Sequence, residues 1–265
     1  MNTVHSYDGT AIAFDRLGDG SPVILVGGAF QHRAFDPRTA QLSALLAEQF
    51  TVFRYDRRGR GDSGDTPPYE VEREIEDLQA LVTDAGGSAS VFGESSGGNL
   101  ALEAAARGLT ITRLAVWEPN FLIDDSRPPL PDEYVRQLTE LVSSGRRGDA
   151  VEYFMTKAVG LPDEFVAPMR DTPIWVGMEA VAHTLAYDGT VVGDSMSGKP
   201  LPAGRWASVP VPTLVIDGGQ SPWLSAGAKA IADALPYAQR RTLAGQSHNV
   251  APEAIAPVLE EFFAG

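Results

Sequence analysis

The chain has no cysteine, so it can form neither disulfides nor thiolate metal sites. It is also short of positive charge: 21 Lys and Arg face 35 Asp and Glu, a formal net charge of −14. That balance argues against nucleic acid or an anionic membrane as a partner. No apolar run approaches the ~18 residues of a membrane span. The segment Met1 to Thr10 is polar and lacks the apolar core of a signal peptide, so the expected location is the cytoplasm. No internal repeat or low-complexity tract stands out. What remains is an ordinary globular composition, 43% hydrophobic and 21% charged, over 265 residues. That length suits one large domain, or a core carrying an insertion.

The most informative stretch is Ser90-Val91-Phe92-Gly93-Glu94-Ser95-Ser96-Gly97-Gly98. An apolar run ends at Gly93, and a segment rich in Ala and Leu follows Gly98. This reads as strand, sharp turn and helix with Ser95 at the tip. A G-x-S-x-G turn holds a serine hydroxyl clear of the backbone. Glycine is common enough, about 7% of residues, that five such positions arise by chance, so the context must carry the argument.

The context is an alternation of strands and helices. Thr3 to Ser6 and Ala11 to Arg16 read as two strands around Asp8-Gly9. Strands follow at Pro22 to Val26, Thr51 to Tyr55, Ala89 to Phe92, Ile111 to Trp117, Pro212 to Ile216 and Gln239 to Leu243. Helices are expected from Asp36, as cap, to about Glu48, and over Val71 to Ala85, Ser96 to Arg107, Ala226 to Leu235 and Ala251 to Phe263. Such alternation predicts a mainly parallel, doubly wound sheet covered on both faces. The interval from Pro119 to Ser208 breaks the pattern. It holds helical segments at Glu133 to Val142, Asp149 to Ala158 and Trp175 to Tyr187, punctuated by prolines. We expect residues 1–119 and 209–265 to form the core and 120–208 an inserted helical cap over the C-terminal edge of the sheet, where such folds bind ligands.

A serine hydroxyl becomes a nucleophile when a base takes its proton. Of the four histidines, His5 lies in an early strand, His32 after Gly27-Gly28, and His183 within a cap helix. His248 follows the last strand, on the sheet edge that carries Ser95, and is the expected base. The imidazole in turn needs a carboxylate. Glu118 ends a strand just before Pro119, and Asp217 ends the strand Pro212 to Ile216. Both are open as that acid.

Four motifs together resemble the α/β-hydrolase family: Val26-Gly27-Gly28, Tyr55-Asp56-Arg57-Arg58-Gly59-Arg60-Gly61-Asp62-Ser63, the Ser95 turn, and Gly245-Gln246-Ser247-His248. The resemblance implies the α/β-hydrolase fold and a chain order of nucleophile, acid, histidine. It also implies oxyanion donors at the backbone amides of Ala29 and Ser96. Two positions depart from the family pattern. Gly27-Gly28 stands where His-Gly is usual. Ser221 stands where the acid is usual, which favours Glu118, the placement found in certain lactone hydrolases.

The function expected from these readings is hydrolysis of an ester or lactone of a small to medium, largely apolar molecule, by a Ser95, His248 and Glu118 triad. A small-molecule substrate is the only partner expected. No cofactor or metal is expected, because no His, Asp and Glu cluster has zinc spacing and no Gly-rich loop has a phosphate-binding pattern. Glu94, His183, Trp175 and Trp223 are candidate substrate contacts, although Trp175 and His183 read more readily as cap packing. Gly193 to Gly198 resembles a second serine turn but lacks a preceding strand, and reads as a cap loop. A non-hydrolytic cyclase or lyase, and a silent ligand-binding member, are the competing expectations. An Asp-nucleophile hydrolase is disfavoured by Ser95. Sequence leaves the oligomeric state open.

Overall fold

The computed structural model describes residues 1–202 and 204–265. Eight strands form one sheet: β1 (Asn2–His5), β2 (Ala11–Leu17), β3 (Ser21–Val26), β4 (Phe50–Tyr55), β5 (Ala89–Glu94), β6 (Ile111–Trp117), β7 (Thr213–Gly219) and β8 (Ala238–Gln246). Their spatial order is β1-β2-β4-β3-β5-β6-β7-β8. β1 pairs with β2, and β2 with β4, antiparallel; every later pairing is parallel. Parallel neighbours require crossovers, and the helices supply them: α1 (Pro37–Leu46), α2 (Val71–Asp84), α3 (Ser96–Ala106) and α9 (Pro222–Ala234), with α10 (Pro252–Ala264) closing the chain.

Strand pleating explains why the sheet is buried on both faces. In β3, Ile24 and Val26 join Leu78, Leu81 and Leu100 of α2 and α3. Their neighbours Val23 and Leu25 join Leu42 and Leu46 of α1 and Leu259 of α10 on the other face. The same alternation runs through β6, where Leu114 and Val116 face one side and Ala115 and Trp117 the other. This period of two is what a continuous apolar strand needs when helices cover both faces. The expected cap at Asp36 is present, its carboxylate accepting from the amides of Arg38 and Thr39.

Between β6 and β7 lies a helical insertion: α4 (Tyr134–Ser143), α5 (Arg147–Phe154), α6 (Asp163–Val166), α7 (Pro173–Ala180) and α8 (Leu185–Val192). It has its own apolar core, including Tyr134, Leu138, Leu141, Trp175, Met178 and Leu185. Two expected helices are less regular than their patterns suggested. The segment expected as Trp175 to Tyr187 is interrupted at Val181, and a 3-10 turn, Ala182–Thr184, separates α7 from α8. The Thr184 hydroxyl donates back to Val181 O at 2.8 Å, a local bond that competes with helix continuation. Similarly, α5 ends in a π-helical turn, Met155–Val159, that closes on the left-handed Gly160.

A buried ionic cluster joins this insertion to the sheet. Arg57, in the loop after β4, makes a bidentate pair with Glu74 of α2 at 2.6 and 2.7 Å and donates to Asp188 of α8 at 2.7 Å. Arg60 donates to the other Asp188 oxygen at 2.7 Å and to Thr184 Oγ1 at 3.1 Å. All four ionic groups are buried. Two cations against two anions leave the cluster balanced. Removal of one buried partner strands a charge, at a cost of about 3–5 kcal/mol. Glu74→Gln is therefore expected to lower the urea midpoint markedly. Glu72→Ala, which removes only an exposed pair with Arg107, is expected to cost about 1 kcal/mol at most. Equilibrium urea unfolding of the two variants checks the contrast.

Burial alone would raise the Asp188 carboxyl. Arg60, Arg57 and the Ser96 hydroxyl outweigh it and hold that carboxyl below its ordinary value of 3.8. A depressed folded value means the stabilisation is complete above the unfolded value and lost as pH falls through the folded one. Stability of the wild type is thus expected to decline below about pH 4 with a slope that Asp188→Asn lacks in part. Urea midpoints measured across acid pH test this.

Candidate active site

Ser95 sits between β5 and α3 with φ 54° and ψ −126°, a conformation that side chains other than glycine rarely adopt. The turn is tight because its glycines allow close approach. A Cβ on Gly97 would lie 2.3 Å from Val26 O, and one on Gly93 would lie 2.6 Å from Gly97 O. Ser96 opens α3, so its amide has no partner within the helix. Among the described residues, three that are not glycine have left-handed φ: Phe30, Ser95 and Glu118. They end the loops or strands after β3, β5 and β6, and so gather at one edge of the sheet.

Glu118 is 1% exposed and its two carboxylate oxygens are both used. Oε1 accepts from Gly218 N at 3.0 Å, and Oε2 meets His248 Nδ1 at 2.7 Å. With the Nδ1 proton directed to Glu118, Nε2 of His248 is left as an acceptor. The loop carrying His248 is anchored. Trp117 Nε1 donates to His248 O at 2.9 Å, and Gln246 Oε1 accepts from Ala251 N at 3.1 Å. Asp217 faces other partners. Its buried carboxylate accepts from Gly219 N, Ser225 Oγ, Arg240 Nε and Thr242 Oγ1, tying β7 to α9 and β8. Ser221 stands at the start of α9 without a capping bond from its side chain.

Ser95 Oγ donates to Asn120 Oδ1 at 3.2 Å. Asn120 drew no attention in the sequence, yet its backbone is held on both sides. Asn99 Oδ1 accepts from Asn120 N at 2.8 Å, and Ser195 Oγ donates to Asn120 O at 2.7 Å. Ser195 belongs to the turn Gly193–Met196, the segment resembling a second serine motif. No hydrogen bond joins Ser95 to His248 among the described residues.

Beside Ser95 lies a cavity of about 30 Å³, lined by Ala29, Ser96, Asn120, Asp188 and mostly apolar side chains of the insertion, among them Tyr134 and Phe154. That is space for about two waters. A roomier depression of about 680 Å³ lies elsewhere, between β1 and α2. It is shallow, none of its lining residues is buried, and it contains no serine or buried acid.

The other candidates lie apart from this cavity's lining. Glu94 accepts from Gln31 Nε2 at 2.7 Å and lies 3.9 Å from Arg38, and burial raises its carboxyl despite those partners. His183 packs edge-on to Tyr187 and bonds Arg147 at 3.1 Å; desolvation and Arg147 lower its imidazole. Trp175 is buried within the insertion, donating to Glu179 at 3.0 Å beneath Arg170. Trp223 packs by Leu122, Val192 and Met196 with Arg127 over its ring. His32 is stacked on Phe35 with Nδ1 buried and unpaired among the described residues, and desolvation lowers its imidazole. His5 is exposed on β1. Among the described residues no helix is long and apolar enough to cross a membrane.

A profile of the alpha/beta hydrolase family matches residues 23–260. No protein of curated function matches. An alpha/beta hydrolase of known structure from Sphaerobacter thermophilus is 59% identical, with a TM-score of 0.90 over 99% of this chain and 100% of that one. A thermophilic esterase from Thermogutta terrifontis is 23% identical, with a TM-score of 0.73 over 99% of this chain and 97% of the other. An enol-lactonase from Burkholderia xenovorans is 22% identical, with a TM-score of 0.70 over 100% of both chains. The last two likenesses speak to fold alone. Because the profile spans most of the sequence and a 59% identical relative matches nearly all of it, this chain belongs to the α/β-hydrolase family.

Proposed function

We propose that the protein is a serine hydrolase that cleaves an ester or lactone of a small to medium, largely apolar molecule through an acyl-enzyme. The observation that carries this reading is the Glu118 carboxylate, shared between Gly218 N–H and His248 Nδ1 on the sheet edge where the Ser95 turn ends. In this scheme the Ser95 hydroxyl leaves Asn120 and gives its proton to His248 Nε2 as Oγ attacks the substrate carbonyl. The amides of Ala29 and Ser96 receive the negative charge on the carbonyl oxygen. His248 then passes the proton to the departing alkoxide, the C–O bond breaks, and a water activated by His248 hydrolyses the acyl-enzyme and restores Ser95. Glu118 fixes the imidazole orientation and stabilises its charged form.

The apolar lining of the cavity supports an apolar substrate, and the esterase and enol-lactonase of similar fold support carboxylic ester chemistry by analogy. Residues 1–119 and 209–265 serve as the catalytic core and 120–208 as a cap over it. The choice between ester and lactone falls to turnover of a panel of both.

Ser95→Ala is expected to abolish hydrolysis of a p-nitrophenyl ester while the protein stays folded by circular dichroism; retained turnover would sink the proposal. Glu118→Gln is expected to lower kcat by up to about 10⁴-fold, the effect of mis-setting a triad histidine tautomer. Asp217→Asn should do the reverse, lowering the unfolding midpoint while turnover in native buffer stays within about threefold. Steady-state kinetics and urea unfolding on both variants separate the two acids.

A further inference from the structure

The amide proposed as an oxyanion donor, Ala29 N–H, belongs to the second of two consecutive peptide groups whose other polar atoms are all engaged. In the Gly27–Gly28 peptide, the carbonyl accepts from Arg57 Nη1 at 3.2 Å and the N–H donates to Gln31 Oε1. In the Gly28–Ala29 peptide, the carbonyl accepts from Arg60 Nη1 and, at 3.3 Å, from Gln31 N. Of these four polar groups, only Ala29 N–H has no protein partner among the described residues. Ala29 lines the cavity beside Ser95.

A trans peptide is planar, and its N–H points opposite to its carbonyl. Whatever holds Gly28 O therefore aims Ala29 N–H. Glycine at position 28 resists rotation of that plane less than any other residue would. Turned over, the peptide would carry its carbonyl toward the cavity and its N–H toward a buried cation. The guanidinium of Arg60 makes that arrangement unfavourable. Arg60 is itself 1% exposed and is fixed by Asp188 Oδ2 at 2.7 Å. The second Asp188 oxygen accepts from Ser96 Oγ at 2.7 Å, and Ser96 supplies the other proposed donor amide.

We infer that Arg60, locked by Asp188 of the helical insertion, is a positioning residue that holds the Gly28–Ala29 peptide with its N–H presented to the reacting carbonyl. Asp188 thereby ties both halves of the oxyanion site to the insertion. Arg60 touches no substrate and acts through the peptide plane. This inference rests on the serine-hydrolase reading above.

The test is the double variant Arg60→Met/Asp188→Asn, which keeps Arg57 balanced by Glu74 so that no buried charge is stranded, with Arg60→Lys as a conservative companion. For the best ester of the panel, kcat and KM are measured alongside the Ki of an aryl trifluoromethyl ketone, which mimics the tetrahedral intermediate. Loss of one oxyanion donor predicts a fall of about 10²–10³-fold in kcat. The ketone Ki should rise in parallel, with KM within about threefold. Arg60→Lys should fall between wild type and double variant on both scales. A folded double variant with wild-type kcat and ketone affinity would overturn the inference. So would a loss confined to KM or to the unfolding midpoint, the pattern of a merely structural group. If the double variant does not fold, the same comparison on Arg60→Lys decides. Wild-type protein that neither turns over the panel nor binds the ketone overturns the hydrolase reading, a result distinct from failure of the Arg60 role.

Discussion

The Asp188 carboxylate is the contact on which the architecture of this edge of the sheet depends. It is one side chain of α8, yet it accepts from Arg57, Arg60 and Ser96 at 2.7 Å each. Through those donors it reaches α2, the loop after β3, the loop after β4 and the start of α3. Desolvating four charges is expensive, and a hydrophobic replacement of the cluster could be equally stable. What an apolar cluster could not do is satisfy the carbonyls of Gly27 and Gly28. These lie in a loop that takes part in no sheet ladder, and buried backbone acceptors must find donors somewhere. Arginine suits the task because a single planar fork can serve a carboxylate and a carbonyl at once.

Around that cluster, among the described residues, the backbone departs from ordinary geometry at Phe30, Ser95 and Glu118, each with left-handed φ outside glycine. Conformations of this kind cost of order 1–3 kcal/mol each and persist where the surroundings over-determine them. The surroundings here are identifiable. The Phe30 ring packs edge-on to Phe154 at 5.1 Å and lies in the core of the insertion. Ser95 N donates to Trp117 O at 3.0 Å, and Glu118 N donates to Ile216 O at 2.9 Å. Each unusual residue is thus bonded or packed to a neighbouring element, so the strain is held by the body of the fold.

Local signals carried most of the sheet and part of the candidate site into the sequence. The Ser95 turn is legible because its glycines are set by steric approach within five residues. Glu118 stands out because Pro119 ends its strand and Ser221 occupies the slot where an acid would otherwise stand. His248 is legible from its place after a strand. Asp188, Asn120 and the role of Arg60 are not, since their meaning lies in pairings between distant positions: Asp188 meets Arg57 across 131 residues. The break at Val181 was hidden for a related reason. Its apolar spacing is compatible with one long helix, and only the Thr184 bonds to Arg60 and Val181 O mark the turn. Trp223 illustrates the opposite case: an aromatic residue after the β7 edge invites a role at the site, yet its ring is taken up by packing and by Arg127.

The cavity beside Ser95 has a consequence for traffic through the molecule. At about 30 Å³ it is smaller than an ester, so on the proposed function its walls would have to part to admit one. They are not equally free to do so. The α8 wall is fastened to the sheet by Asp188, and moving it would expose four charged groups and disturb the glycine loop. The rest of the lining carries Tyr134 of α4, Phe154 of α5 and Ala158 of the π-helical turn, none of which bonds to the ionic cluster. The α4–α5 side also carries the least regular backbone of the insertion, the π-helical turn Met155–Val159. The two sides of the cavity are thus held by different physics, an ionic cluster at α8 and apolar packing at α4 and α5.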